Sequence, residues 1–223
     1  MTAVEWITFD CYGTLIDWEG GVTEALSPLL PPPVDRAALT ARYIAVEAVV
    51  EHEAYRPYRD ILAAASARLM AELGHPLPPG RERVLPDSLS SWRPFPEVSQ
   101  VLRALRAGGA RLAILSNVDR GLLAASVRHL GVEPDLTVTA EDCRSYKPAR
   151  GHWDRFLTTS AASAARTVHV GASLFHDIVP ARALGFRTVF INRRGEPVVG
   201  AAPTRVLADL RPLPDVIRAL TGS

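Results

Sequence analysis

Apolar positions along the chain fall into two regimes. Val4 to Phe9 is a short, β-rich apolar run closed by a turn, and it reads as a buried strand. From Asp17 to about Arg93 the pattern becomes helical: Leu39, Tyr43, Val46 and Val50 fall on one stripe, and a second helix is expected over Tyr58 to Leu73. Proline-rich breaks, "SPLLPPPVD" and "HPLPPG", separate these segments, which together predict a small helical bundle. After "SWRPFPE" the pattern alternates. A helix over Glu97 to Ala107 ends at Gly108-Gly109. The strands "RLAILS", "DLTVT", "RTVHVG" and "RTVFIN" then alternate with helices over Arg120 to Leu130, near His152 to Ser163 and near His176 to Leu184. Such alternation predicts parallel βαβ units and an α/β fold with a doubly wound parallel sheet. The expected organisation is an α/β core, residues 1–16 and 94–223, with a helical cap domain, residues 17–93, inserted after the first strand.

Bulk properties narrow the function classes. The 223 residues suit one domain or a domain carrying an insertion, and 48% hydrophobic content fits a globular protein. With 25 Lys plus Arg against 24 acids, no charge asymmetry points to nucleic acid or a membrane surface. No apolar stretch is long enough to span a bilayer, and "MTAVEWITF" lacks the basic segment of a secretion signal, so a cytoplasmic location is expected. Cys11 and Cys143 form no zinc motif and no disulfide framework.

Open parallel sheets bind ligands at the carboxyl ends of their strands. The first strand delivers Asp10, Tyr12 and Thr14; the second, Ser116 and Asn117; the third leads to Lys147 in "SYKPA"; the fourth to "GASLFHD", with Ser173, His176 and Asp177. Singly, each has a structural explanation: a turn-capping aspartate, a turn pair, a surface lysine, a first-turn helix acid. Together and in this order they predict a site for a small-molecule substrate. His52, His75, His129, His152 and His169 show no metal-ligand spacing and read as surface or core residues, and Asn192 to Gly195, "NRRG", as a basic loop.

The ordered set "DCYGTL", "SN", Lys147-Pro148 and "GxSxxxD" resembles the four motifs of the haloacid dehalogenase superfamily, over nearly the whole chain. The resemblance implies a Rossmann-type core with a cap, and Asp10 as a nucleophile that forms a covalent intermediate later cleaved by water. Phosphatases of the superfamily carry a second aspartate two residues on, to protonate an alkoxide leaving group, and use Mg²⁺. Here Tyr12 stands in that place, and Ala172 stands where a fourth-motif aspartate often sits. Halide leaves without a proton, and "DxYGT" is similar to the 2-haloacid dehalogenase branch.

That branch implies a metal-independent hydrolase with an aspartyl-ester intermediate, in which Asp10 attacks C2, Asp177 orients or activates water, and Lys147 keeps Asp10 ionised. Thr14 and Ser116, with backbone N–H groups of the first loop, hold the substrate carboxylate. Tyr12 forms an apolar wall, the backbone of Cys11 lines the site, and Arg42 on the cap helix with Asn117 cradles the halide. Glu47, after Arg42, reproduces the branch's local spacing. The sequence departs from the branch at Ala172 and Leu174, where serine and asparagine are usual, and at Trp153, where a tyrosine is expected. No cofactor is expected, and the branch often forms homodimers. Two alternatives stay open: an Mg²⁺-dependent phosphatase whose metal rests on Asp10, Tyr12 and Asp177, and a non-catalytic binding protein of the same fold.

Overall fold

The computed structural model describes residues 3–51, 55–200 and 202–222, so His52 lies outside it. Its centre is the strand β1 (Trp6–Phe9), buried along its whole length. A turn follows in which Leu15 and Ile16 N–H both donate to the Cys11 carbonyl, at 2.7 and 2.9 Å. Gly13 makes this turn feasible. Its φ is +92°, and a Cβ there would lie 3.0 Å from Trp18 Nε1.

Among the described residues the chain then forms the α-helices α1 (Trp18–Leu26), α2 (Arg36–Glu51), α3 (Tyr58–Glu72) and α4 (Val84–Ser88). Asp17 starts the first by accepting from Gly20 N–H at 3.0 Å. The stripe Leu39, Tyr43, Val46 and Val50 is buried as expected, and packs with Ile61, Leu62, Ala65 and Leu69 of α3.

Next come α5 (Val98–Ala107), β2 (Arg111–Ser116), α6 (Arg120–Val127), β3 (Leu136–Thr139), α7 (Ala140–Cys143), α8 (Gly151–Ser160) and β4 (Thr167–Gly171). One π-helical turn, Leu174–Ile178, leads into α9 (Val179–Ala183), β5 (Arg187–Ile191), β6 (Arg205–Leu207) and α10 (Leu213–Thr221). Among the described residues the six strands form a single sheet in the order β3-β2-β1-β4-β5-β6, every pairing parallel.

Successive strand residues face opposite sides, and both sides are covered. Trp6, Ala113, Leu115 and Val138 pack with Trp153 and Phe156 of α8 on one face. Ile7, Phe9, Leu112, Ile114, Val168 and Val170 belong to a larger core on the other, which continues into the helices between β1 and β2. The expected strand "RLAILS" is matched residue for residue by β2. The sequence reading did not foresee β6 and α10. The former is short and mostly exposed, so it lacks the apolar run that marks a strand. The strand order reverses between β1 and β4, which opens a crevice beyond their carboxyl ends.

Candidate active site

Asp10 leaves β1 and Asp177 follows β4, on either side of that crevice. Between them lies the Lys147 ammonium. Its three N–H bonds go to Asp10 Oδ1 (2.9 Å), Asp177 Oδ1 (2.6 Å) and the Leu115 carbonyl (2.9 Å), which satisfies every donor the group has. Lys147 and Asp177 are buried, and the Asp10 side chain retains 13% exposure, so it is the most accessible member of the trio.

The other carboxylate oxygens are held too. Thr14 Oγ1 donates to Asp10 Oδ2 at 2.8 Å, and the Ser173 N–H to Asp177 Oδ2 at 3.2 Å. Asp177 approaches its own strand so closely that a Cβ on Gly171 would sit 2.5 Å from its Cβ.

Charge follows this geometry. Burial raises the Asp10 carboxyl from its ordinary value, the Lys147 ammonium offsets part of the rise, and a more basic carboxylate is the better nucleophile. Burial also acts to raise Asp177, but Lys147 and then His169 outweigh it and hold it well below the usual range. Burial disfavours the Lys147 charge, but Asp10 and Asp177 overcome that and fix it as a cation.

A layer of residues beneath the trio supports it. Thr8 Oγ1 bonds His169 Nδ1 at 2.8 Å, and His169 Nε2 faces Asp177 Oδ1 at 3.5 Å. His152 Nε2 donates to the Ser116 carbonyl at 3.0 Å, and burial followed by the Lys147 charge drives its pKa down to about 3, so it stays neutral. Both histidines were read from sequence only as surface or core residues. A polar residue in an apolar strand run, His169 in "TVHVG", is the signal that marks one of them.

Asp10, Tyr12, Ser116, Asn117, Lys147 and Asp177 all line one cavity of about 440 Å³ between the sheet edge and the helices α1–α3. Ser116 Oγ is buried without a hydrogen-bond partner. Asn117 has its oxygen on the Lys147 N–H (2.7 Å) and its amide N–H groups on the Lys147 carbonyl (3.1 Å) and Glu51 (3.4 Å), so it positions the lysine and has no spare donor for a halide. Tyr12 is a half-buried wall residue whose hydroxyl bonds Ser126 Oγ at 2.8 Å.

Four expected contacts fall elsewhere. Thr14 does not line the cavity and reaches it only through Asp10. Cys11 does not line the cavity: its backbone carbonyl accepts from Leu15 and Ile16 N–H in the turn, and its side chain is in the core, where burial pushes its thiol well up. Trp153 is fully buried beneath the sheet, edge-on to His169, because α8 turns that position toward the strands. Arg42 is exposed and does not line the cavity. The stripe that buries Tyr43 fixes the rotation of α2, and at 100° per residue the cavity-facing positions become Ile44, Glu47 and Glu51, with Arg42 on the opposite side.

A divalent cation is a poor fit to the crevice. Asp10 and Asp177 already share an ammonium and accept further donors, and position 172 supplies no third carboxylate. Among the described residues no group of three or more His, Cys, Asp or Glu is arranged to hold a metal ion.

Residues 4–185 match the family described as haloacid dehalogenase-like hydrolase. The chain belongs to that family. This hydrolase is 28% identical to the haloacetate dehalogenase H-2 of Moraxella sp. (strain B), over 87% of this chain and 88% of that one. The crystal structure of the L-2-haloacid dehalogenase RSc1362 superposes with a TM-score of 0.86 at 28% identity, covering 97% of this chain and 100% of the other. A phosphoglycolate phosphatase from Rhodospirillum rubrum is 27% identical, over 94% and 89% of the two chains. Overall identity therefore does not separate the two chemistries, and the side chains at the nucleophile carry that decision.

Proposed function

We propose that this hydrolase cleaves the carbon–halogen bond of a 2-haloacid through an ester on Asp10, without a metal. The observation that carries the reading is Tyr12 beside Asp10, in the place where a phosphatase carries its proton-donating acid, with Ala172 where a further metal-holding acid often sits. The same reading makes residues 17–93 a cap over a core of 1–16 and 94–223, and the location cytoplasmic.

An Asp10 oxygen attacks C2, and the halide leaves with the bonding pair. No proton is needed at that step, so the lack of an acid at position 12 costs nothing. Tyr12 stays a neutral wall, since burial raises its hydroxyl well above the ordinary value. Water oriented by Asp177 then attacks the ester carbonyl. The C–O bond on the Asp10 side breaks, the hydroxy acid departs, and the released proton passes to solvent. Lys147 stabilises the carboxylate before attack and the developing oxyanion during ester cleavage. Ser116 Oγ, buried and unpartnered at the cavity wall, is the donor for the substrate carboxylate.

Halide release from short 2-haloacids, measured with and without chelator, tests the reading, and equal rates are expected. Turnover in ¹⁸O-labelled water should place label in Asp10 in the first cycle, and Asp10→Asn should abolish release. Phosphate-ester cleavage that requires Mg²⁺, with no halide release, would establish the phosphatase instead.

A further inference from the structure

Two side chains that line the cavity carry N–H groups with nothing to donate to. Trp18, the first residue of α1, lies against the turn after β1, where a Cβ on Gly13 would sit 3.0 Å from its Nε1. Among the described residues no acceptor reaches that indole N–H. Arg193 follows β5 and is held firmly. Its Nη2 spends both N–H bonds, on the Thr14 carbonyl at 3.0 Å and on Glu97 Oε1 at 2.8 Å, and its guanidinium stacks on the Phe95 ring at 3.6 Å. Its Nε is buried with no partner, and among the described residues no acceptor reaches Nη1 either. A guanidinium so fixed, with N–H bonds left over on two of its three nitrogens, is set for an acceptor that the chain does not supply.

The two donors belong to one place. Trp18 packs on Gly13 and Arg193 bonds Thr14, which are consecutive residues of the turn. Thr14 also ties them to the chemistry, because its hydroxyl donates to Asp10 Oδ2 at 2.8 Å. Arg194 adds positive charge there, with its guanidinium 5.9 Å from the centroid of the Trp18 ring. The α2 side of the cavity carries Glu47 and Glu51 instead, which repel an anion, so a second negative group is directed to the turn. The space admits one. At about 30 Å³ per water, a cavity of 440 Å³ holds roughly 15 water-sized groups, more than a two- or three-carbon acid fills.

We infer that the substrate is a 2-halodicarboxylic acid, and that Trp18 Nε1 and the Arg193 guanidinium together bind its second carboxylate. The inference deepens the dehalogenase reading and rests on it for the reacting end, where C2 and the first carboxylate stay at Asp10 and Ser116. A carboxylate suits these donors. It is planar, and its two oxygens accept from a guanidinium and an indole at once. It also brings one negative charge to a cation already shared with Glu97, where a phosphate would bring nearly two.

The test compares 2-chlorodicarboxylates of four to six carbons with the monoacids that carry a methyl group in place of the far carboxylate, from 2-chlorosuccinate against 2-chlorobutanoate to 2-chloroadipate against 2-chlorohexanoate. Halide release should favour the diacid by roughly ten- to hundredfold in kcat/KM for at least one length, the range for a charge-assisted hydrogen bond. Trp18→Phe keeps the ring and removes the N–H, and Arg193→Gln removes the fork. Each should lower the ratio of diacid to monoacid rates, a ratio from which general damage to the fold cancels. A second measurement needs no reaction: calorimetric binding of succinate, glutarate and adipate to the native protein, each against its methyl-ended monoacid. Equal binding at every length, or a preference that survives both variants, overturns the inference. Preferential binding of a diacid that Trp18→Phe weakens, with no halide release from any chloroacid, upholds the carboxylate site and overturns the dehalogenase reading.

Discussion

Lys147 is the residue on which the site turns. A lysine before a proline is ordinarily a solvated side chain, yet here the ammonium is 2% exposed and bonded to two carboxylates and a carbonyl. Removing one partner of a buried ionic group leaves the others uncompensated, at about 3–5 kcal/mol. Lys147→Met should therefore lower unfolding free energy by about that amount in urea titrations and abolish turnover, because Asp10 and Asp177 would then face each other without a counter-charge. Arg42 is the opposite case. Its motif position suggested a halide contact, but its side chain is exposed on the far side of α2. Arg42→Ala should leave stability within about 0.5 kcal/mol and halide release within about twofold, and a large loss in single-turnover displacement would contradict that placement.

Among the elements, the junction between α3 and the sheet decides how the cavity is closed. Asp119, in the loop after β2, is buried and accepts from the N–H groups of Tyr58 and Arg59 at 2.9 and 3.0 Å, and from Arg59 Nε at 2.8 Å. It caps the N-terminus of a helix 60 residues away in sequence, and adds the favourable charge of an anion at that end. This contact fixes Tyr58, which in turn holds Glu47. Asp119→Ala should cost about 1–2 kcal/mol of stability and raise KM more than it lowers kcat, since the trio at the sheet edge is untouched. Unchanged KM with reduced kcat would separate this contact from substrate closure. Nothing in the sequence around "NVDR" announced the role, because capping across 60 residues leaves no local spacing to read.

Across the whole molecule, burial of acids leaves a signature in the pH dependence of folding. Burial, with the neighbouring Glu47 charge, raises Glu51 from 4.5 to about 7, against smaller opposing effects of Lys147 and Asn117. The unfolded chain releases this proton near 4.5 and the folded protein near 7. Over that window the folded state binds more protons, so rising pH removes stability, and the full penalty is present above 7. Asp10 and Glu47, also raised, act in the same direction, and Asp177, lowered, acts in the other. Glu51→Gln removes only its own share. Its melting temperature should exceed the native value at pH 8 and converge with it near pH 4.5, and a constant offset at both would show that Glu51 titrates normally. What the sequence determined by itself is the part written in local periodicity and ordered motifs. The alternation of strands and helices specified the parallel sheet, because side-chain period and strand polarity are properties of short segments, and the resemblance of the ordered motifs that follow the strands pointed to Asp10, Lys147 and Asp177. What only the tertiary structure decided is which way each helix turns. The rotation of α2 put Glu47 and Glu51, not Arg42, against the cavity, and that of α8 put Trp153 into the core. The packing of a whole helix against its neighbours sets that angle, and no local spacing records it.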